Sequence, residues 1–207
     1  MSPDDAGTPS KVSFTRLDSG TAEEHLRVRE FNLQTWRGNI GKRILDELRA
    51  IAEIPLIVKV NELEHSLQTA TRCLRDGEDE ETVVCALVHD VGERMGPANH
   101  GEYAAAVLRP YVSDANYWIM KYHPIFQGYY FWHHSGRDRN ARDQFRDHPL
   151  YDRTVRFCER WDMPSFDPDY DTLPLEFFEP MVLRIFEREP YSHAQERSVA
   201  FAKVKQD

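Results

Sequence analysis

The chain has 207 residues, enough for one domain with a sizeable core, and its 41% apolar and 29% charged residues are ordinary for a globular protein. The net charge of −9 argues against a nucleic-acid partner and against an anionic membrane surface, because both attract basic proteins. Three scattered cysteines fit neither a disulfide framework nor a zinc knuckle. No secretory signal and no apolar run of about 18 residues is found, so we expect a cytoplasmic protein.

Apolar periodicity and capping residues predict helices along most of the chain and no strand. Residues 1–20, rich in Pro, Gly, Ser and Asp, are expected to form a flexible arm, and residues 191–207 a tail. The predicted helices cover residues 21–36, 41–52, 55–75, 79–91, 99–108, 113–122, 150–161 and 175–186. An aromatic stretch follows at 123–132, then a polar loop with a short helix. The sequence therefore predicts an all-α domain over residues 21–190.

Two ionisable residues, His89 and Asp90, end the predicted helix of residues 79–91, which is apolar nearly all round. Burying them is costly unless something neutralises them, and a pair of metal ions would do so. His65 lies twelve residues before the turn residue Gly77, and His89 lies twelve residues after it. Both histidines are therefore about 18 Å from the turn, at the same level of an antiparallel helix pair. We predict that they bind one metal ion together.

Asp90 directly follows His89, and adjacent side chains of a regular helix point in directions about 100° apart. One metal ion therefore does not easily bind both, but a carboxylate has two oxygens and can bridge two ions. Histidine and carboxylate ligands without thiolates favour iron, manganese or zinc over Cu(I) or an iron–sulfur cluster.

With His100, His123 and Asp162, these residues give the order H…HD…H…H…D, which resembles the HD-domain superfamily. The stretch ELEHSLQTATRCLRDGEDEETVVCALVHDVGE is similar to the oxygenases that cleave 2-amino-1-hydroxyethylphosphonate. The stretches KYHPIFQGYYFWHHSGRD and RFCERWD are similar to myo-inositol oxygenase. Both relatives belong to the mixed-valent diiron branch of the superfamily, and the similar segments span roughly residues 61–162.

The resemblance implies a helical HD-domain bundle and a diiron oxygenase. Such an enzyme uses O2 to cleave a C–C, C–P or C–N bond of a small hydroxylated or amino substrate. The implied cofactor is a Fe(II)/Fe(III) pair, which positions both reactants and carries the electrons. The implied ligands are His65, His89 and Asp162 for one iron and His100 and His123 for the other, with Asp90 as the bridge.

Three residues depart from the pattern of these oxygenases. Glu93 stands where myo-inositol oxygenase has a lysine near its substrate, whereas Gln127 and Glu159 replace a lysine and an arginine of the phosphonate oxygenases. A phosphonate would therefore lack cationic partners and would be repelled by the acidic groups. We expect a neutral polyol-like or a cationic hydroxylated or amino substrate beside Glu93, Gln127 and Glu159, with Asp90 and Glu93 as catalytic residues.

The main alternative is a metal-dependent phosphohydrolase that acts on a nucleotide or phosphomonoester with Mn, Ni, Mg or Zn. A mononuclear hydrolase needs only His65, His89, Asp90 and Asp162, and Arg94 gives it weak support as a cation close to His89-Asp90. A catalytically silent, metal-stabilised binding domain is a third hypothesis, but the intact ligand set argues against it. The sequence does not predict an oligomeric state.

Other polar residues have simpler expected roles. His133 and His134 are adjacent, so their side chains diverge, and we expect support or surface roles for them. Asp167, Asp169 and Asp171 are alternatives to the last predicted ligand, but their Pro-rich loop is typical of a protein surface.

Overall fold

A computed structural model describes residues 10–37 and 39–192. Within these ranges the chain is helical and contains no strand, so the predicted all-α class is confirmed. The chain divides into two compact units, of which the first extends to Ile40 and the second begins at Gly41. Residues 1–9 of the predicted arm and nearly all of the predicted tail lie outside the described residues.

The first unit contains a short 3-10 turn, Leu17–Ser19, and helix α1, Ala22–Arg37. A capping box begins α1: Thr21 donates its backbone N–H to Glu24, and Thr21 Oγ1 accepts from the Glu24 backbone N–H. Glu24 also accepts from the Ser13 backbone N–H at 2.7 Å. The Thr21 and Ser13 amides lower the pKa of Glu24 to about 2.

Seven helices and a π-helix follow, with the second unit beginning in the first turn of α2. They are α2 Ile40–Ile51, α3 Glu62–Arg75, α4 Glu80–Val88, α5 His100–Leu108, α6 Asp114–Phe131, α7 Tyr151–Phe157, the π-helix Cys158–Asp162 and α8 Leu175–Phe186. Helices α3 and α4 form a packed hairpin that turns at Gly77, whose φ of +82° favours glycine. Helix α5 packs on α6, and the π-helix packs on α3, α6 and α7. The apolar residues of α4 are fully buried at the centre.

Across the described residues, the longest and most apolar helices all fall short of what a bilayer crossing requires.

The predicted start of α3 at Pro55 is wrong, because the helix begins only at Glu62. Asn61 fixes this start: its side chain accepts from the Glu64 N–H at 2.9 Å, and Glu64 accepts from the Asn61 N–H at 3.0 Å. Residues 55–59 are exposed and irregular. Their apolar side chains extended the helical pattern beyond the cap, although they contribute nothing to the core.

The predicted end of α6 at Tyr122 is also wrong, because the helix continues through Pro124 to Phe131. Proline has no N–H to donate to the Met120 carbonyl, four residues earlier. The ring nitrogen Nδ1 of His123 bonds that carbonyl at 2.7 Å instead. Because Pro124 does not use the Met120 carbonyl, that carbonyl is available to accept the hydrogen bond that orients His123.

Two other predicted helices are shorter than expected, and both changes occur where polar residues enter the core. Helix α4 ends at Val88, and residues 89–95 form turns, so His89 and Asp90 leave the regular helix. The helix predicted over residues 150–161 ends at Phe157 and continues as the π-helix, which ends at Asp162. π-Helical turns are rare and often occur at functional sites.

Replacing Asn61 by alanine tests the start of α3. Loss of the side-chain acceptor leaves one amide of the first turn unpaired, so we expect the free energy of unfolding to fall by about 1 kcal/mol. Asn61→Asp keeps the acceptor and should stay near wild type in urea denaturation. An alanine variant with wild-type stability would show that the cap does not fix this helix end.

Candidate metal centre

The fold brings together all six side chains predicted to bind metal. They are His65 from α3, His89 and Asp90 from the turn after α4, His100 from the first turn of α5, His123 from α6 and Asp162 from the π-helix. Five of them are at most 6% exposed, and His100 is half-buried at the edge of the group. We call these six residues the His/Asp cluster.

Asp90 lies at the centre of the cluster, and its two oxygens face different pairs of histidines. Oδ2 is 3.0 Å from His89 Nε2 and 3.4 Å from His65 Nε2. Oδ1 is 3.2 Å from His123 Nε2 and 3.4 Å from His100 Nε2. A carboxylate in this position has the geometry of a bridge between two metal ions.

Asp162 completes the first of these two groups. Its Oδ1 is 3.3 Å from His65 Nε2 and 3.7 Å from His89 Nε2. Ligand atoms about 2.1 Å from a metal ion stand roughly 3.0 Å apart at a right angle and about 3.4 Å apart at a tetrahedral angle. The donor separations in the cluster are therefore those of atoms that share a metal ion.

Backbone carbonyls orient all four imidazole rings. Because a carbonyl oxygen only accepts, each Nδ1 carries a proton, and each Nε2 faces the cluster, where it can hold a second proton or bind a metal ion. Nε2 of His65 lies 3.2 Å from Nε2 of His89, so the two nitrogens share a proton or lie beside a metal ion, because two bare lone pairs at that distance repel one another. The Nδ1 partners are Ser165 O at 3.0 Å from His65, Ala86 O at 2.7 Å from His89, Met120 O at 2.7 Å from His123 and Pro97 O at 3.2 Å from His100.

One carboxylate oxygen, Oδ2 of Asp162, is fully buried and has no hydrogen-bond partner among the residues that the structure describes. A buried charged oxygen without a donor costs several kcal/mol. A metal ion would remove that cost, because carboxylate oxygen and neutral imidazole nitrogen are suitable donors for iron, manganese and zinc. The buried oxygen of Asp162 and the close approach of the His65 and His89 Nε2 atoms both fit a cation at the cluster.

The charges of the cluster stabilise one another. Burial alone would raise the pKa of Asp90, but His89, together with hydrogen bonds from His123 and His65, holds it well below its usual range. Burial likewise opposes ionisation of Asp162, but contacts with His65 and His89 lower its pKa. Contacts with Asp162 and Asp90 overcome burial and raise the pKa of His65 to about 9. The carboxylates therefore stay ionised and favour positive charge at the centre.

Two of the residues predicted to contact substrate, Glu93 and Gln127, contact side chains of the cluster. Glu93 Oε1 lies 2.5 Å from His100 Nδ1, and this contact outweighs burial and raises the pKa of His100 to about 9. Gln127 donates from Nε2 to Asp162 Oδ1 at 2.7 Å. Such outer contacts fix the orientation of metal ligands. Direct contact of Glu93 or Gln127 with a substrate stays a prediction.

The third of these residues, Glu159, is exposed on the π-helix. In the described part of the chain it shares no hydrogen bond or ion pair with the cluster. The alternative ligands Asp167, Asp169 and Asp171 are exposed too. Of the four aspartates considered as the last predicted ligand, Asp162 is therefore the one that the fold brings to the histidines.

Sequence reasoning missed Glu62, which is 8% exposed and lies in the first turn of α3. A carboxylate oxygen of Glu62 lies within 4.8 Å of donor atoms of His65 and Asp90. Burial, and then the charge of Asp90, raise the pKa of Glu62 to about 7. The available signal was its spacing, because residues three apart share a helix face and Glu62 lies three residues before His65.

Aromatic side chains line the inner walls of the cluster. Phe166 stacks on the ring of His65 with centroids 4.4 Å apart, and the buried Phe157 meets His89 edge-on at 5.8 Å. Phe166 is itself 39% exposed and covers the ring of His65, which is only 2% exposed. Exclusion of water from the buried histidines strengthens electrostatic interactions there. The half-buried His100 marks the side that solvent reaches.

No known protein-family profile matches this sequence, and no curated protein is significantly similar to it.

Removing a histidine from one side of Asp90 tests whether the cluster has two metal sites. We expect wild-type protein to bind two divalent ions per chain and His100→Ala to retain only one, because His65, His89 and Asp162 stay intact. His133→Ala, an exposed histidine outside the cluster, should retain both. Elemental analysis after gel filtration measures the ratio. One ion in wild type, or two in His100→Ala, would contradict a paired site.

The contact between Glu93 and His100 predicts a weaker site when the carboxylate is neutralised. We expect Glu93→Gln to reduce the affinity for one of two Mn(II) ions by about 10- to 100-fold, as is typical when an outer partner of a metal ligand is lost. Glu102→Gln, which changes an exposed glutamate of helix α5, serves as the control. Equal affinities in calorimetric titrations of both variants would show that Glu93 does not support His100.

Proposed function

We propose that this protein is an HD-domain enzyme of the mixed-valent diiron branch, an oxygenase that cleaves a bond of a small hydroxylated or amino compound with O2. The observation that carries the proposal is the position of Asp90, whose two oxygens each face a separate pair of histidines. A mononuclear site has no need for the second pair. The order and spacing of the six residues, which resemble that branch, support the same class.

A bound Fe(II)/Fe(III) pair would supply binding positions for O2 and a substrate oxygen, and the electrons for an oxidative cleavage. His65, His89 and Asp162 would hold one ion, and His100 and His123 the other, with Asp90 shared between them. The surrounding residues keep this arrangement in place. Glu93 holds the Nδ1 side of His100, and Gln127 fixes Asp162 through its N–H group.

Arg94, the cation that gave the phosphohydrolase alternative its support, is paired with another residue. Arg94 makes two hydrogen bonds to the carboxylate of Glu47, at 2.7 and 2.9 Å, and is exposed. Among the described residues, no lysine or arginine hydrogen-bonds or ion-pairs with the cluster. Sites that act on phosphate esters normally supply such cations to balance the phosphate charge. The acidic surroundings therefore support the oxygenase over the hydrolase.

The same charge distribution supports a neutral or cationic substrate. Glu62 and Glu93 add two carboxylates beside Asp90, and Glu93 is partly exposed at the side where His100 meets solvent. Like charges repel strongly where water is excluded, so a phosphonate dianion would be disfavoured. An amino alcohol or a polyol would meet no such repulsion.

Iron-loaded protein provides the deciding measurement. We expect partial oxidation to give an electron paramagnetic resonance signal of coupled Fe(II) and Fe(III), because Asp90 would link the two ions. Asp90→Ala should abolish the coupling, and His133→Ala should leave it unchanged. Signals of isolated iron ions in wild-type protein would overturn the diiron proposal.

Turnover assays then separate the two classes of enzyme. O2 consumption is measured with amino alcohols, polyols and phosphonates, and phosphate release is measured with phosphomonoesters in the presence of Mn, Ni, Mg or Zn. Oxygen uptake with an amino alcohol or polyol supports the proposal. Phosphate release without oxygen uptake identifies the hydrolase, and preferential uptake with phosphonates contradicts the proposed substrate class.

A further inference from the structure

Glu62 is a buried carboxylate for which the six-ligand arrangement gives no role. In the described part of the chain, neither a hydrogen bond nor an ion pair engages its carboxylate. Its immediate charged neighbours include another acid, Asp90. A carboxylate in such a place is costly unless a positive charge compensates it.

We propose that Glu62 is a seventh protein ligand, bound to the metal ion held by His65, His89 and Asp162. The inference rests on the two-metal centre proposed above and adds a residue that the motif H…HD…H…H…D does not include. One oxygen of Glu62 lies within 4.8 Å of a ring nitrogen of His65 and of an oxygen of Asp90. Asp90 is shared by both ions, but the histidines whose charges act on Glu62 are His65 and His89, so the ion that they would hold is the one nearer to Glu62.

The spacing of Glu62 and His65 suits a shared ion. Side chains at positions i and i+3 of a helix lie on one face, and the Glu-x-x-His pair is a recurring way for helical bundles to hold two metal ions. Asn61 caps the helix immediately before Glu62, so the first turn of α3 is fixed in place. The cap therefore holds the backbone of Glu62 in position relative to His65.

The charges also balance when Glu62 is included. The His/Asp cluster contributes two carboxylates, and Glu62 and Glu93 bring the number to four, which would match two divalent ions bound by neutral histidines and leave one positive charge on a Fe(II)/Fe(III) pair. In the described residues no arginine or lysine pairs with any of these four acids, so the ions would be their main counter-charge. Glu93 is already engaged with His100, whereas Glu62 is available to an ion.

Co(II) binding to the full-length protein tests the role of Glu62, since the visible absorption of Co(II) reports its ligands. We expect Glu62→Gln to bind one of two Co(II) ions about 10- to 100-fold more weakly in chelator competition, with a changed absorption spectrum. Glu62→Asp keeps the charge but withdraws the oxygen by one methylene, so its affinity should lie between those of Glu62→Gln and wild type. Glu102→Gln is the control on an exposed helical glutamate.

Stability without metal separates ligation from a structural role. If Glu62 is a ligand, Glu62→Gln removes a costly buried charge, so the metal-free variant should be at least as stable as wild type and gain less from Co(II). A structural role predicts lower stability without metal and an unchanged gain. Wild-type Co(II) affinities and spectrum in Glu62→Gln would overturn the inference while leaving the two-metal proposal intact. A wild-type protein that binds fewer than two ions would overturn the proposed function itself.

Discussion

The burial of two carboxylates against four imidazoles is the constraint on which the rest of this structure depends. Asp90 and Asp162 lie in the core with at most 6% exposure, and one oxygen of Asp162 has no donor at all. Transfer of such groups from water is favourable only when positive charge meets them. The helices around the cluster therefore bury an apolar core and also bring polar side chains together inside it.

At two places where the regular hydrogen bonding of a helix is interrupted, a backbone carbonyl accepts a hydrogen bond from a histidine of the cluster. The end of α4 leaves the Ala86 carbonyl to His89, and Pro124 leaves the Met120 carbonyl to His123. The π-helix delivers Asp162 to the same cluster. Because Nδ1 of each ring is held by backbone, the Nε2 atoms point inward. The donor atoms therefore come both from the long helices α3 and α6, which hold His65 and His123, and from helix ends and the π-helix, which supply the other four residues.

The all-α class and the pairing of His65 with His89 were predictable from local pattern and chain geometry, whereas His100, His123 and Asp162 were predicted from the resemblance to HD domains. His65 and His89 are equally far along the chain from Gly77, and that count alone places them at one level of the helix pair. The start of α3 was missed although Asn61 and Glu64 have the spacing of a capping box, because the apolar residues before them extend the helical pattern. The continuation of α6 through Pro124 was not predictable from apolar periodicity, because proline usually ends a helix. Glu62 was missed because its spacing from His65 indicates a shared helix face but does not indicate burial, which depends on tertiary packing.

The surroundings of the cluster carry more information on selectivity than its ligands do. Histidines and aspartates at these positions suit several metals and reactions, whereas Glu62, Glu93 and Gln127 set the charge and orientation around them. Glu93 and Gln127 both bind residues of the cluster, so changing either alters the centre together with any substrate contact. Effects on metal affinity therefore have to be separated from effects on KM before either residue is assigned to specificity. Under the proposed function, the acidic residues around the cluster, which have no cationic partner there among the described residues, would favour substrates that are positively charged or neutral.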